Sequence, residues 1–243
     1  MFYQRTYITL LSLLLLLLLL SGCLYPKERL SKNQMPNDAQ LSMVQDAVDT
    51  YRENTNGLVP IKTKEQDTPI FLKYVIDFTA LKEQNLIQSI PGNAFENGGI
   101  YQYVLIYPEQ NPTVKLIDLR IAEKLRSLQQ RVNIYRNKNI YPPFGKEIDD
   151  GVYQINYEKL GLDALPYVES PYTQRNLPVV FDTQGNLLID YSKDLFKYLN
   201  EYKHNYKNGD DIRYILADNA PFVPAYSLPY TIKDGEPIPL KNE

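Results

Sequence analysis

The sequence predicts an α+β fold with mostly antiparallel sheet, and three observations carry that expectation. Three segments place apolar residues at helical spacings of three and four. Each is followed by short runs rich in β-branched and aromatic residues, punctuated by glycine, proline and asparagine. The order is helix and then strands, without the strand–helix–strand alternation that builds parallel sheets. The same succession recurs along the chain, so the expected architecture is three amphipathic helices, each followed by short mostly antiparallel strands, as internal repeats.

Residues 1–22 read as a leader. Arg5 supplies a positive start, Ile8 to Leu20 form an apolar stretch interrupted by Thr9 and Ser12, and small Ser21 and Gly22 follow. That stretch falls short of the about 18 apolar residues a membrane span requires. Leu20-Ser21-Gly22-Cys23 resembles the lipobox of bacterial prolipoproteins. The resemblance implies cleavage between Gly22 and Cys23, a diacylglycerol thioether and palmitate-type acyl chains on Cys23, and a location on the extracytoplasmic face of a cell membrane. Two or three acyl chains would hold durably, because each buried methylene contributes about 0.8 kcal/mol and one chain alone is marginal. Residues 23–40 then form a polar tether carrying Pro26 and Pro36, with a fully stretched reach of roughly 50 Å.

The globular part is expected over 41–243. A helix is predicted over 37–56 from Leu41, Val44, Val48 and Tyr51, with Asn37 and Gln40 as a capping box and Asn56-Gly57 as its stop. Phe71 to Phe78 reads as a strand, and Leu81, Leu86 and Pro91 as a connector. Ile100–Ile106 and Thr113–Ile117 flank a Pro-Glu-Gln-Asn-Pro turn and read as a β-hairpin. A second helix follows from Ile121, Leu125, Leu128, Val132 and Tyr135, capped by Asp118. Val152–Tyr157 reads as a strand and Leu177–Asp190 as another hairpin. A third helix is expected over about 192–207 from Leu195, Leu199, Tyr202 and Tyr206, and a last hairpin turn at Gly235.

The echoes between these segments set the expected repeat units at about 41–117, 118–189 and 190–240. Two helices end in Tyr-Arg, at Tyr51-Arg52 and Tyr135-Arg136, and two hairpins exit alike, at Leu116-Ile117-Asp118 and Leu188-Ile189-Asp190. A helix ending in tyrosine, a proline and then short strands is similar to the globular part of pilins and pseudopilins, which implies a fold analogy only, since the prepilin processing signal is absent. The leader together with the Tyr-Arg helix end, Asn56-Gly-Leu-Val-Pro-Ile-Lys-Thr-Lys64 and Ala94-Phe-Glu-Asn-Gly-Gly99 resembles the uncharacterised YphF-type lipoproteins of spore-forming Gram-positive bacteria. This implies a location and no catalytic residues.

Composition narrows the function. Arg5 is the only charged side chain before Cys23, which leaves 25 basic against 29 acidic side chains and gives nucleic acid no basic surface to expect. The one cysteine is assigned to the anchor, so neither a disulfide nor a thiol nucleophile is expected in the fold. There is no Gly-x-Ser-x-Gly elbow, zincin helix, phosphate loop or dinucleotide fingerprint. The single histidine, His204, lies off the apolar stripe of the third helix and reads as an exposed helical residue. Asp149-Asp150 and Asp210-Asp211 are adjacent carboxylates that could bind a cation or flank a glycosidic bond, but both sit in turn-like sequence where solvation is the ordinary role. Tyrosine is abundant, at 21 residues against 8 phenylalanines. Tyr167, Tyr172, Tyr226 and Tyr230 lie around the connectors; such rings suit flat glycan or protein surfaces, although core edges and strand faces favour tyrosine as well.

No catalytic residue, metal ligand or cofactor is therefore expected. The sequence points to a non-enzymatic, membrane-anchored interaction or assembly module with a protein or cell-wall partner. The alternatives are a solute-binding lipoprotein of a transporter and a carboxylate-dependent cell-wall hydrolase.

Overall fold

The structure is a computed structural model, and it describes residues 38–240. The leader, Gly22, Cys23, most of the tether and Asn37 of the expected capping box lie outside the described residues. The first helix, α1 (Asp38–Asn54), buries Val44, Ala47 and Val48 on its apolar stripe. It stops where the sequence places the stop: Gly57, at φ 95°, donates its N–H to the Arg52 carbonyl at 2.9 Å.

The strand expected over Phe71 to Phe78 is not formed as such. Residues Ile70–Lys73 make a single helical turn, α2, and Phe78–Glu83 a short helix, α3. Between them only Val75 and Ile76 bridge to other chain segments, Val104 and Ile61 respectively. Asp77 explains the break, because its carboxylate accepts the Thr79 N–H at 2.9 Å and so starts a helix inside an apolar run that reads as β.

The hairpin that follows is as expected. Strand β1 (Tyr101–Ile106) pairs antiparallel with β2 (Thr113–Asp118), from Tyr101 opposite Asp118 to Ile106 opposite Thr113. Asp118 ends β2 and at once caps α4 (Leu119–Asn139), accepting the Arg120 N–H at 3.0 Å. Helix α4 buries Ile121, Leu125, Leu128 and Val132, the stripe read from the sequence.

Strand β3 (Phe144–Asp149) was not expected, since its residues are exposed for most of their length and carry no apolar period. It pairs with β4 (Val152–Ile155), while the three-residue β5 (Tyr167–Glu169) lies between the expected strand at Val152–Tyr157 and the expected hairpin from Leu177. Strand β6 (Asn176–Phe181) is the hub: it pairs antiparallel with β4, β5 and β7 (Leu187–Ile189). The third helix, α5 (Ser192–Glu201), is shorter than expected, the chain turning extended at Tyr202. Tyr206 still packs against the core, from an irregular segment rather than a helix. A short α6 (Tyr214–Asp218) follows, then the hairpin β8 (Tyr230–Lys233) and β9 (Glu236–Pro239), turned at Gly235 with φ 84°.

The fold is thus α+β with antiparallel strand pairing throughout its named strands. Its buried side chains gather in two main cores, one over α1 and the β1–β2 hairpin, the other running from Ile121 to Ile232. The second core does not divide at 189/190, because α5 and β8 share it with α4 and β6. A third cluster joins the halves, with Val75, Val104 and Ile117 against Ala217, Val223 and Ala225. The stretch 221–228 links both hairpins through parallel bridges, Phe222 to Leu116 and Ser227 to Ile189. The two matching hairpin exits are therefore tied to one strip of chain.

Candidate functional site

Where the halves meet, three pieces of chain supply a groove of about 240 Å³. Its principal lining is Ile70 and Tyr74 from α2 and its exit, Tyr107, Pro108 and Glu109 from the β1–β2 loop, and Tyr214 from α6. The local sequence explains the shape. Tyr107 leaves β1 at φ 52°, an uncommon conformation for a bulky residue, and its carbonyl accepts the Gln110 N–H at 3.2 Å to close the turn. The strained backbone throws the Tyr107 ring onto Tyr214, with centroids 5.0 Å apart and planes 22° from parallel.

Charged groups behind the rings fix them. The Tyr107 hydroxyl donates to both carboxylate oxygens of Asp218, at 3.1 and 3.3 Å. Phe71 leans on Tyr214 at 5.1 Å, and the Arg213 guanidinium lies 5.1 Å over Phe71. Arg213 is in turn held by Asp211, at 2.8 and 2.6 Å. Burial, then the Asp218 charge, pushes the Tyr107 phenol up from its ordinary value, and burial, then Asp211, does the same to Tyr214. Tyr206 is pushed up to about 12, by burial first and then by Asp218. Raised in this way the phenols keep their protons at neutral pH, and the Tyr107 hydroxyl uses its proton on Asp218. Nearby, Lys115 donates to the Ala220 carbonyl at 2.8 Å; burial lowers its pKa and Asp218 opposes that.

The groove can stack a flat ring or a proline between tyrosine faces, with Glu109 at an exposed rim. It lies below the roughly 300–1,000 Å³ of pockets that enclose a small molecule.

Of the carboxylates and the histidine singled out from the sequence, only Asp211 stands behind the groove, through Arg213; the others lie elsewhere. His204 is not helical: it follows α5 in an irregular segment, half-buried, with its ring 5.6 Å from Tyr206 and Nδ1 without a partner among the described residues. Asp149 accepts the Asp150 N–H at 2.7 Å, and Asp210 accepts the Lys207 N–H at 2.7 Å, so each serves its own turn. No group of three or more His, Cys, Asp or Glu among the described residues could hold a metal ion.

Of the four tyrosines, Tyr230 is buried with its hydroxyl donating to Asp190 at 2.6 Å, and Tyr172 packs its ring against Tyr191 and Tyr198. Tyr226 packs against two of the cores. Tyr167 is half-exposed beneath the Lys124 ammonium, 5.3 Å from its ring. None of the four lines the groove, whose tyrosines are Tyr74, Tyr107 and Tyr214. Tyr107-Pro108-Glu109 in a hairpin loop was the available sequence signal; nothing in the sequence marks Tyr214.

Residues 37–118 match the model of the YphF family N-terminal domain. The match ends at Asp118, the residue that closes β2 and caps α4, so it coincides with the N-terminal core. No curated protein and no solved structure matches the chain.

Proposed function

We propose that this chain is a lipid-anchored, extracytoplasmic and non-enzymatic interaction module of a bacterial cell membrane, which holds a protein or cell-wall partner at the tyrosine groove. The observation that carries the reading is the groove itself: three tyrosines from both halves, one held in a strained backbone, around a space of about 240 Å³. The lipobox-like Leu20-Ser21-Gly22-Cys23 is what supports the anchor. The groove, at about 240 Å³, is small for a site that encloses a solute. The local hydrogen bonds of Asp149 and Asp210 speak against hydrolysis, since each carboxylate is occupied by its own turn.

The test is crosslinking in intact cells from a photoreactive side chain placed at Glu109, on the rim. One defined adduct, lost in Tyr107→Ala and Tyr214→Ala proteins that remain folded, is expected. An adduct pattern indifferent to both substitutions would refute the groove as the binding site.

A further inference from the structure

The longest helix carries a second surface that the groove does not use. Helix α4 has six basic residues and one acidic residue, Glu123, in a chain whose net charge is −3. Beside its buried stripe runs an exposed one, Arg120, Lys124, Ser127, Arg131, Ile134 and Lys138, at spacings of 4, 3, 4, 3 and 4. Arg120 is tied to Asp118; Lys124, Arg131 and Lys138 make no ion pair among the described residues.

Where this stripe meets the helical turn Glu158–Leu160, a cavity of about 220 Å³ opens. Arg131, Lys138 and Lys159 line it together with apolar Ile134 and Leu160, and no carboxylate does. Arg131 also donates to the Leu160 carbonyl at 3.2 Å, which fixes its guanidinium at the wall. Three uncompensated cations around one recess call for an anion.

The end of the same helix is apolar where solvent should make it polar. Ile134 is 60% exposed, Ile140 90% and Tyr141 54%. Ile140 sits at φ 69°, ψ −33°, with the Tyr141 N–H donating to the Asn139 carbonyl at 2.8 Å, close to the rare and strained γ-turn. A branched side chain pays for that conformation with strain, and here its side chain gains nothing inside the fold. Exposed aliphatic and tyrosine side chains amid arginine and lysine are the composition of a surface that lies at a bilayer interface.

We propose that the C-terminal end of α4 docks on anionic phospholipid: a headgroup phosphate at Arg131, Lys138 and Lys159, and Ile134, Ile140 and Tyr141 at the boundary of headgroups and acyl chains. The inference rests on the anchored reading above only for its setting, since the anchor would hold the domain within tether reach of the bilayer. The apolar residues favour a bilayer over a soluble polyanion, which would satisfy the cations and leave Ile134 and Ile140 in water.

The test uses the unacylated chain from residue 24 onward, which contains the compact folded unit intact, and sedimentation with vesicles. Binding is expected to phosphatidylglycerol-containing vesicles and not to pure phosphatidylcholine, and to weaken as salt is raised. Each cation removed should weaken it about fivefold, so the Arg131→Gln/Lys138→Gln double variant should lose about 25-fold. Ile134→Ser should weaken it as well, while Lys64→Gln, in the N-terminal half, should change it less than twofold. Absence of binding, equal binding to both vesicle types, or an equal effect of Lys64→Gln would overturn the proposal. So would full displacement by soluble polyphosphate with Ile134→Ser silent, which would make the recess a polyanion site. Because the chain tested carries no acyl group, failure here leaves the anchor reading standing, and failure of the anchor leaves this result intact.

Discussion

Asp194 offers the sharpest test of how the C-terminal half is held together. It lies in the first turn of α5, fully buried, and its carboxylate accepts the Ser170 hydroxyl at 2.6 Å and the Thr173 hydroxyl at 2.7 Å. The Ser170 oxygen accepts in turn from the N–H groups of Tyr172 and Thr173, each at 3.0 Å. The turn after β5 is thereby pinned, and with it Tyr172, whose hydroxyl donates to the Phe222 carbonyl at 3.3 Å. Asp194→Ala removes two hydrogen bonds to a charged acceptor, about 1.5–3 kcal/mol each. Relief from burying a carboxylate offsets part of that loss, leaving a destabilisation of about 2–4 kcal/mol. For a domain of this size that lowers Tm by roughly 5–15 °C.

The pH dependence gives a second, independent readout. Burial raises the Asp194 pKa above 3.8, and the Ser170 and Thr173 hydroxyls only partly hold it down. The folded chain then binds this proton more tightly than the unfolded chain. Its contribution to stability is full below 3.8 and is lost as pH rises through the raised folded value. Denaturant melts of the wild type and of Asp194→Asn, followed by circular dichroism from about pH 3.5 to about pH 7, measure it, a window that starts near the ordinary carboxylate value and extends upward. The stability difference, wild type minus Asp194→Asn, is expected to grow as pH falls through that window. A difference that shrinks on acidification, or an alanine variant costing under about 1 kcal/mol, would refute the reasoning.

Two further substitutions probe the backbone. Gly99→Ala would place a Cβ 2.1 Å from the backbone carbonyl of Asn93, so it should cost about 3 kcal/mol or prevent folding; a thermal melt within a degree of wild type would contradict that. Ile140→Gly should relieve strain and raise stability by about 1 kcal/mol while weakening vesicle binding, two opposite changes measured on one sample.

The parts of the fold that were legible in the sequence are those with local physical signals. Asp118 announces α4 because an acidic cap precedes a full apolar stripe, and Gly57 and Gly235 mark turns that require positive φ. The failures have equally local causes. Asp77 starts a short helix at the end of a β-like apolar run with a single capping bond, and Pro69 precedes the helical turn at its beginning. Strand β3 is built from exposed polar residues and is specified by its partner β4 rather than by its own pattern. Helix α5 ends at Glu201 although Tyr202 and Tyr206 continue its spacing: Tyr202 is exposed and Tyr206 reaches the core from outside the helix, so the apolar period alone did not mark the end.

The groove was hardly legible at all. Tyr74, Tyr107 and Tyr214 come from sites far apart in the chain and meet only because residues 214–225 fold back on the first hairpin. Asp218, which holds the Tyr107 hydroxyl, carries no motif, and Asp211 was visible only as half of an adjacent carboxylate pair, with nothing to show that it holds Arg213. The basic stripe of α4 was open to view in the sequence, but a mildly acidic total charge concealed it.

The reading as an anchored module depends most on the chemistry of one thiol. Mass spectrometry of the N-terminal tryptic peptide of the mature protein from membranes tests it directly. The expected peptide is Cys23 to Lys27 carrying a diacylglycerol thioether. A peptide that runs from Thr6 through an unmodified Cys23 to Lys27 would contradict the account.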